Sequence, residues 1–132
     1  MKIHLFLLLI FLSIAHFIAA QNIQQADLPL LKGKWVKTTN ARDTLFFEMR
    51  KGTETLFILT LQKGTHPPRD PEGLYSFKFV PTGITVNWMF SSTVHNSKPI
   101  PFRFNDSKTI LTIGNFYRAK NEGELLDFKQ LK

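Results

Sequence analysis

The chain contains no cysteine. That excludes a disulfide framework, a thiolate metal centre and a cysteine-linked lipid anchor. It also lacks His-Glu-x-x-His, Gly-x-Ser-x-Gly and any glycine-rich phosphate loop, so the common signatures of zinc hydrolysis, serine acyl transfer and nucleotide binding are missing. The acids Asp43, Glu48, Asp70, Glu72 and Glu124 are dispersed among basic residues, as on a solvated surface. No catalytic activity and no cofactor are expected. Lysine and arginine outnumber the acids 17 to 10, for a net charge of +7. They are scattered singly, without a basic cluster or interleaved aromatics, so nucleic acid is not the expected partner. Such a balance favours solubility and draws small anions to the surface. Beyond the first twenty residues no segment of helix length carries apolar residues at helical spacing.

The first twenty residues stand apart. Lys2 opens them, residues 3–18 are apolar except His4, Ser13 and His16, and Ala19-Ala20 precede Gln21. This is the layout of a secretory leader cleaved before Gln21. The run is too short and too broken for a comfortable membrane span, which needs roughly 20 apolar residues. The expectation is a signal peptide over 1–20, one domain over 21–132, no membrane span after cleavage, and a secreted or periplasmic protein.

The remainder reads as strands. Residues 34–39, 44–50, 54–62, 74–80, 84–91, 99–105, 109–117 and 124–131 are the eight segments. Tyr75, Phe77 and Phe79 oppose Ser76 and Lys78; Ile84, Val86, Trp88 and Phe90 oppose Thr85, Asn87 and Met89. Ile100, Phe102 and Phe104 oppose Pro101 and Arg103, and Leu126 and Phe128 oppose Asp127 and Lys129. A period of two belongs to strands, since helices repeat near 3.6. The third segment is apolar on both faces, with Leu56 and Ile58 against Phe57, Leu59 and Leu61. Ahead of the first strand, Asp27-Leu28-Pro29-Leu30-Leu31 suits one helical turn capped by Asp27.

The connections alternate. Lys51-Gly52-Thr53, Pro81-Thr82-Gly83 and Asp106-Ser107-Lys108 are tight turns after the second, fourth and sixth strands. Residues 63–73 and 92–98 are longer and follow the third and fifth. In an antiparallel meander, turns after even strands share one end and those after odd strands the other. The fold class is therefore all-β, an eight-stranded up-and-down barrel with one end tightly closed and one ringed by loops.

Gly33-Lys34-Trp35, at the entry to the first strand and after a short helical turn, resembles the Gly-x-Trp motif of lipocalins and the wider calycin group. The resemblance implies that Trp35 packs at the closed end, with a late arginine over it. Arg103 and Arg118 are the late arginines of this chain. Where the family has Thr-Asp-Tyr, this chain reads Phe104-Asn105-Asp106 and keeps only the aspartate. It is also shorter than a typical lipocalin and lacks the long C-terminal helix.

A lipocalin-like barrel has room for its own side chains or for one small ligand. The expected partner is a small hydrophobic molecule, lined by Tyr75, Phe77, Trp88, Phe90 and Phe102 and oriented by Asn115. His66, His95 and Arg69 would stand at the open rim, drawing an anionic head group. The two rim histidines with Asp70 have no spacing that favours a metal, and none is expected. The alternative is a solid barrel that binds a protein or envelope component through its open-end loops.

Overall fold

A computed structural model of the chain describes residues 22–62, 73–89, 98–117 and 123–132. Among them are β1 (Lys34–Lys37), β2 (Thr44–Lys51), β3 (Thr55–Gln62), β4 (Leu74–Val80), β5 (Gly83–Trp88), β6 (Phe102–Phe104), β7 (Ile110–Gly114) and β8 (Leu125–Leu131). They form one sheet in the order β5-β4-β3-β2-β1-β8-β7-β6, antiparallel throughout. Sequence neighbours are sheet neighbours except β5 and β6, which stand at the two ends of the order; β1 pairs in addition with β8, from Lys34↔Leu131 to Lys37↔Phe128. That pairing bends the meander into a nearly closed barrel.

Several strands are shorter than their sequence pattern suggests, β5, β6 and β7 most of all. β6 loses its first residues because Pro99 and Pro101 have no N–H to donate to a ladder. Only Ile100, between them, makes a bridge, to Ile84. β7 ends at Gly114, so Phe116 and Tyr117 leave the sheet. β5 ends at Trp88, with a turn at Met89.

Alternation gathers Trp35, Phe47, Tyr75, Phe77, Phe102, Phe104 and Phe128 with the aliphatic residues between them into one interior cluster. The rings meet across the barrel. Phe47 on β2 and Phe102 on β6 lie four staves apart on an eight-stave ring, yet their centroids are 5.6 Å apart. Phe102 also lies 6.4 Å from both Phe77 and Phe79, and Phe47 meets Phe77 edge-on at 5.9 Å. At this level the barrel is filled by its own side chains. Each fully buried ring contributes about 1.5–3 kcal/mol.

The closed end is built around Trp35. A 3-10 turn, Gln25–Asp27, runs into α1 (Leu28–Leu31), with Pro29 in its first turn. The Trp35 indole N–H donates to the Leu31 carbonyl at 2.8 Å, and its ring stacks on Phe104 at 5.8 Å. Gln130, facing inward on β8, donates to the Lys32 and Leu30 carbonyls at 2.8 and 3.4 Å, satisfying groups that α1 leaves open at its C-terminus. Gly33 has φ +111°, a conformation that suits glycine and lets the chain turn from α1 into β1.

Two expectations are corrected here. Asp27 stands at the N-cap of α1 but makes no side-chain cap to it; its carboxylate accepts the Gln24 N–H at 3.0 Å and closes the preceding 3-10 turn. Arg103 does not lie over Trp35, because it alternates outward between Phe102 and Phe104; Arg118 lies outside the described residues. A third departure concerns Met49, which is on the inward register but 45 % exposed. The β2–β3 hairpin, exposed from Glu48 through Leu56, runs past the end of the barrel and carries Met49 with it.

Asn105, in the turn after β6, begins an Asn-Asp-Ser glycosylation sequon. Its carboxamide is spent on the turn: Oδ1 accepts the Thr109 and Ile110 N–H groups at 2.9 and 2.8 Å, and Nδ2 donates to Ser107 Oγ at 2.8 Å.

Candidate functional site

The open end carries a band of aromatic rings. Trp88 closes β5 and pairs across the ladder with Tyr75 on β4. Tyr75 is buried, and Trp88, the last residue of β5, is 38 % exposed. Phe116, just past β7, meets Tyr75 edge-on at 5.0 Å, and Tyr117 meets Phe116 at 5.1 Å. The Tyr117 hydroxyl donates to Asp43 Oδ2 at 3.3 Å. The band therefore crosses the mouth from β5, over β4 and the segment after β7, to the connection between β1 and β2.

Two buried polar residues shape it. Asp43 is 2 % exposed, and its main chain is fixed on both sides: its carbonyl accepts the Lys37 N–H at 2.9 Å and its N–H donates to the Asn40 carbonyl at 3.1 Å. A carboxylate this buried needs hydrogen-bond donors, and Tyr117 is one. Asn115 is also buried. Its N–H donates to the Glu124 carbonyl at 2.7 Å, and its Oδ1 accepts the Tyr117 N–H at 3.2 Å. That turn swings Phe116 and Tyr117 off the sheet and over the mouth. Chemically, the band offers ring faces and edges to a flat apolar group and a carboxylate–phenol pair at one side.

Of the residues singled out from sequence, Tyr75, Trp88 and Asn115 come together here. Phe77 and Phe102 lie deeper, in the ring stack, and are buried. Gly33 and Trp35 belong to the closed end. His66, Arg69, Phe90 and His95, with Asp70, lie outside the described residues. Sequence reading missed Asp43, Phe116 and Tyr117. From sequence, Asp43 reads as one of the surface acids and the two rings as part of the seventh strand; the Gly114-Asn115 pair is the sign of a break.

A second concavity, of about 320 Å³, lies at the tip of the β2–β3 hairpin, lined by Arg50, Lys51, Gly52, Thr53, Glu54 and Leu56. All of these are exposed, and the nearby Arg50–Glu48 ion pair, at 3.5 Å, is solvated. No buried polar group orients anything there. Among the described residues no three His, Asp or Glu side chains come together as a metal site, and no helix is long and apolar enough to cross a membrane.

Comparison with protein-family models, curated proteins and solved structures finds no match. The barrel and its mouth therefore stand on their own geometry.

Proposed function

We propose that this chain is an exported, non-enzymatic binding protein of the lipocalin-like type that holds a small hydrophobic molecule at the open end of its barrel. The observation that carries this reading is the contact of Phe47 with Phe102 across the lumen at 5.6 Å. With the interior occupied at that level, a guest rests above it, on Trp88, Tyr75, Phe116 and Tyr117. A flat molecule burying roughly 300 Å² of apolar surface gains about 7.5 kcal/mol before association costs, which sets the expected affinity no tighter than about micromolar. The leader layout of residues 1–20 supports export to a secreted or periplasmic location. The Gly33–Trp35 motif, with Trp35 packed on α1 and Phe104, supports the calycin resemblance.

The same filled interior favours a second reading, in which the open end binds a protein or envelope component instead of a small molecule. One titration separates the two. The chain has two tryptophans, Trp35 fully buried and Trp88 38 % exposed. A panel of fatty acids and flat hydrophobic dyes is expected to quench Trp88 emission and raise the melting temperature, and the quenching disappears in Trp88→Phe. Quenching that persists through Trp35 would move the guest into the lumen. Silence across the panel, in emission and in melting, leaves the partner-binding reading.

A further inference from the structure

Seven large apolar side chains are exposed among the described residues, and four of them, Leu30, Met49, Leu56 and Leu131, stand at the closed end. A single exposed apolar residue is ordinary on a protein surface. These four are brought to one end by the fold. Leu131 pairs with Lys34 at the start of β1, and Lys34 pairs in turn with Phe46 on β2. Leu30 is held beside them, since its carbonyl accepts the Gln130 amide at 3.4 Å. Met49 and Leu56 stand farther out. From Phe46, β2 continues to Lys51 before its turn, a reach of roughly 17 Å at the rise of a strand. On that stretch Met49 pairs with Phe57, and Arg50 with Leu56.

The same end is basic. Lys32, Lys34, Arg50, Lys51 and Lys132 are exposed beside these side chains, against the acids Glu48 and Glu54. Glu48 is already engaged by Arg50 at 3.5 Å. The cations come from three distant segments, so residue order shows them singly and only the fold collects them. Leucine and methionine enter the boundary between head groups and acyl chains of a bilayer, while lysine and arginine stay at the head groups and are drawn there by anionic lipid. A bilayer asks of its ligand only reach and charge. The projecting hairpin supplies the first and the excess of cations the second.

We propose that the closed end docks on a lipid bilayer carrying anionic head groups, with Met49 and Leu56 of the β2–β3 hairpin entering the interface and Lys32, Lys34, Arg50, Lys51 and Lys132 resting on the head groups. Two apolar side chains and a few charges fall far short of a spanning helix, so the contact is reversible. The mouth lies at the opposite end of the barrel and faces away from the bilayer. Docking does not depend on a guest being bound there.

Vesicle flotation tests this on the purified chain, with vesicles of phosphatidylcholine alone and of phosphatidylcholine mixed with phosphatidylglycerol. At about 0.1 M salt the chain is expected to bind the anionic vesicles at least about tenfold more tightly, and to lose that advantage at about 1 M salt. Replacing two cations together, Arg50→Gln with Lys51→Gln, is expected to weaken anionic binding about tenfold. Met49→Ser with Leu56→Ser is expected to weaken it by a similar factor. All four side chains are exposed, so the melting temperature of each pair stays near that of the parent; should one pair fail to fold, the other decides. Leu125→Ser, at an exposed apolar position of the open end, leaves binding unchanged. Absence of binding, equal binding to the two vesicles, or an equal loss in Leu125→Ser overturns the proposal. Binding that survives in both closed-end pairs overturns it as well, since the apolar residues 1–20 then carry it. Sedimentation as a dimer that Met49→Ser with Leu56→Ser dissolves would show that a second copy covers this face, and the proposal fails.

Discussion

Replacing Phe102 with alanine tests the packing on which the placement of a guest depends. Phe102 is 0 % exposed and has Phe47, Phe77 and Phe79 within 6.4 Å, centroid to centroid. Removing a core phenylalanine costs about 3–5 kcal/mol, part from lost transfer energy and part from the cavity left behind. Three ring partners, drawn from β2 and β4, leave no single neighbour able to collapse into the space, which places the cost near the upper end, about 4–5 kcal/mol. For a domain of about this size that lowers the melting temperature by roughly 15–25 °C. Because single domains are stable by only about 5–15 kcal/mol, the variant is expected to fold but marginally. The carbonyl of residue 102, which receives the Ile23 N–H, is main chain and survives the substitution. Urea denaturation followed by circular dichroism reads the loss. A second readout follows from the cavity: an apolar void stays dry and takes up benzene, so benzene should raise the melting temperature of the variant and not of the parent. A loss below about 1 kcal/mol, or an equal benzene response in the parent, would show that the lumen is hollow at this level and would return the guest to the interior.

Gly83→Ala is expected to cost about 2–4 kcal/mol in the same denaturation assay, since φ is +148° and the new Cβ would meet the Ile100 carbonyl oxygen; a neutral result would mean that the backbone at Ile100 gives way freely. Trp35→Phe keeps most of the buried ring but leaves the Leu31 carbonyl without its indole donor, so a loss of about 1–2 kcal/mol is expected by urea melts, well short of the about 3–5 kcal/mol of Trp35→Ala. Equal losses for the two would remove any role for that hydrogen bond at the closed end.

Much of this architecture can be read from residue order. The alternation of Tyr75, Phe77 and Phe79 with Ser76 and Lys78 places β4 at its observed bounds. The third segment, apolar on both faces, is buried on both, with Ile58 and Leu59 equally hidden. The turns at Gly52 and Gly83 announce themselves, and the long-short rhythm of connections separates the two ends. What escaped has a common cause: it depends on contacts distant in sequence or on donors that a residue lacks. Pro99 and Pro101 cut β6 although the apolar period runs through them. Asn115 bends the chain although Phe116 and Tyr117 continue a strand-like composition. Asp43 looks like any loop acid until Tyr117, 74 residues away, supplies its hydrogen bond. Nothing local in Asn22-Ile23 says that it pairs with β6.

The shortened β6 and the filled lumen trace to the same short stretch. With donors missing at positions 99 and 101, Ile100 alone among residues 99–101 bridges to β5, at Ile84. The Pro101 carbonyl is turned instead to β7, where it accepts the Gly114 N–H at 2.9 Å. β6 has further support. One source is the segment at Asn22–Ile23, which pairs with β6 at Arg103 and Phe102. Another is Phe102, whose ring reaches across to Phe47 and ties β6 to the opposite wall. Filling the lumen in this way joins opposite walls of the barrel through side chains as well as through the ladders. On the reading proposed above, a guest then meets the rings at the mouth, where Tyr75, Phe116 and Tyr117 lie beyond that packing.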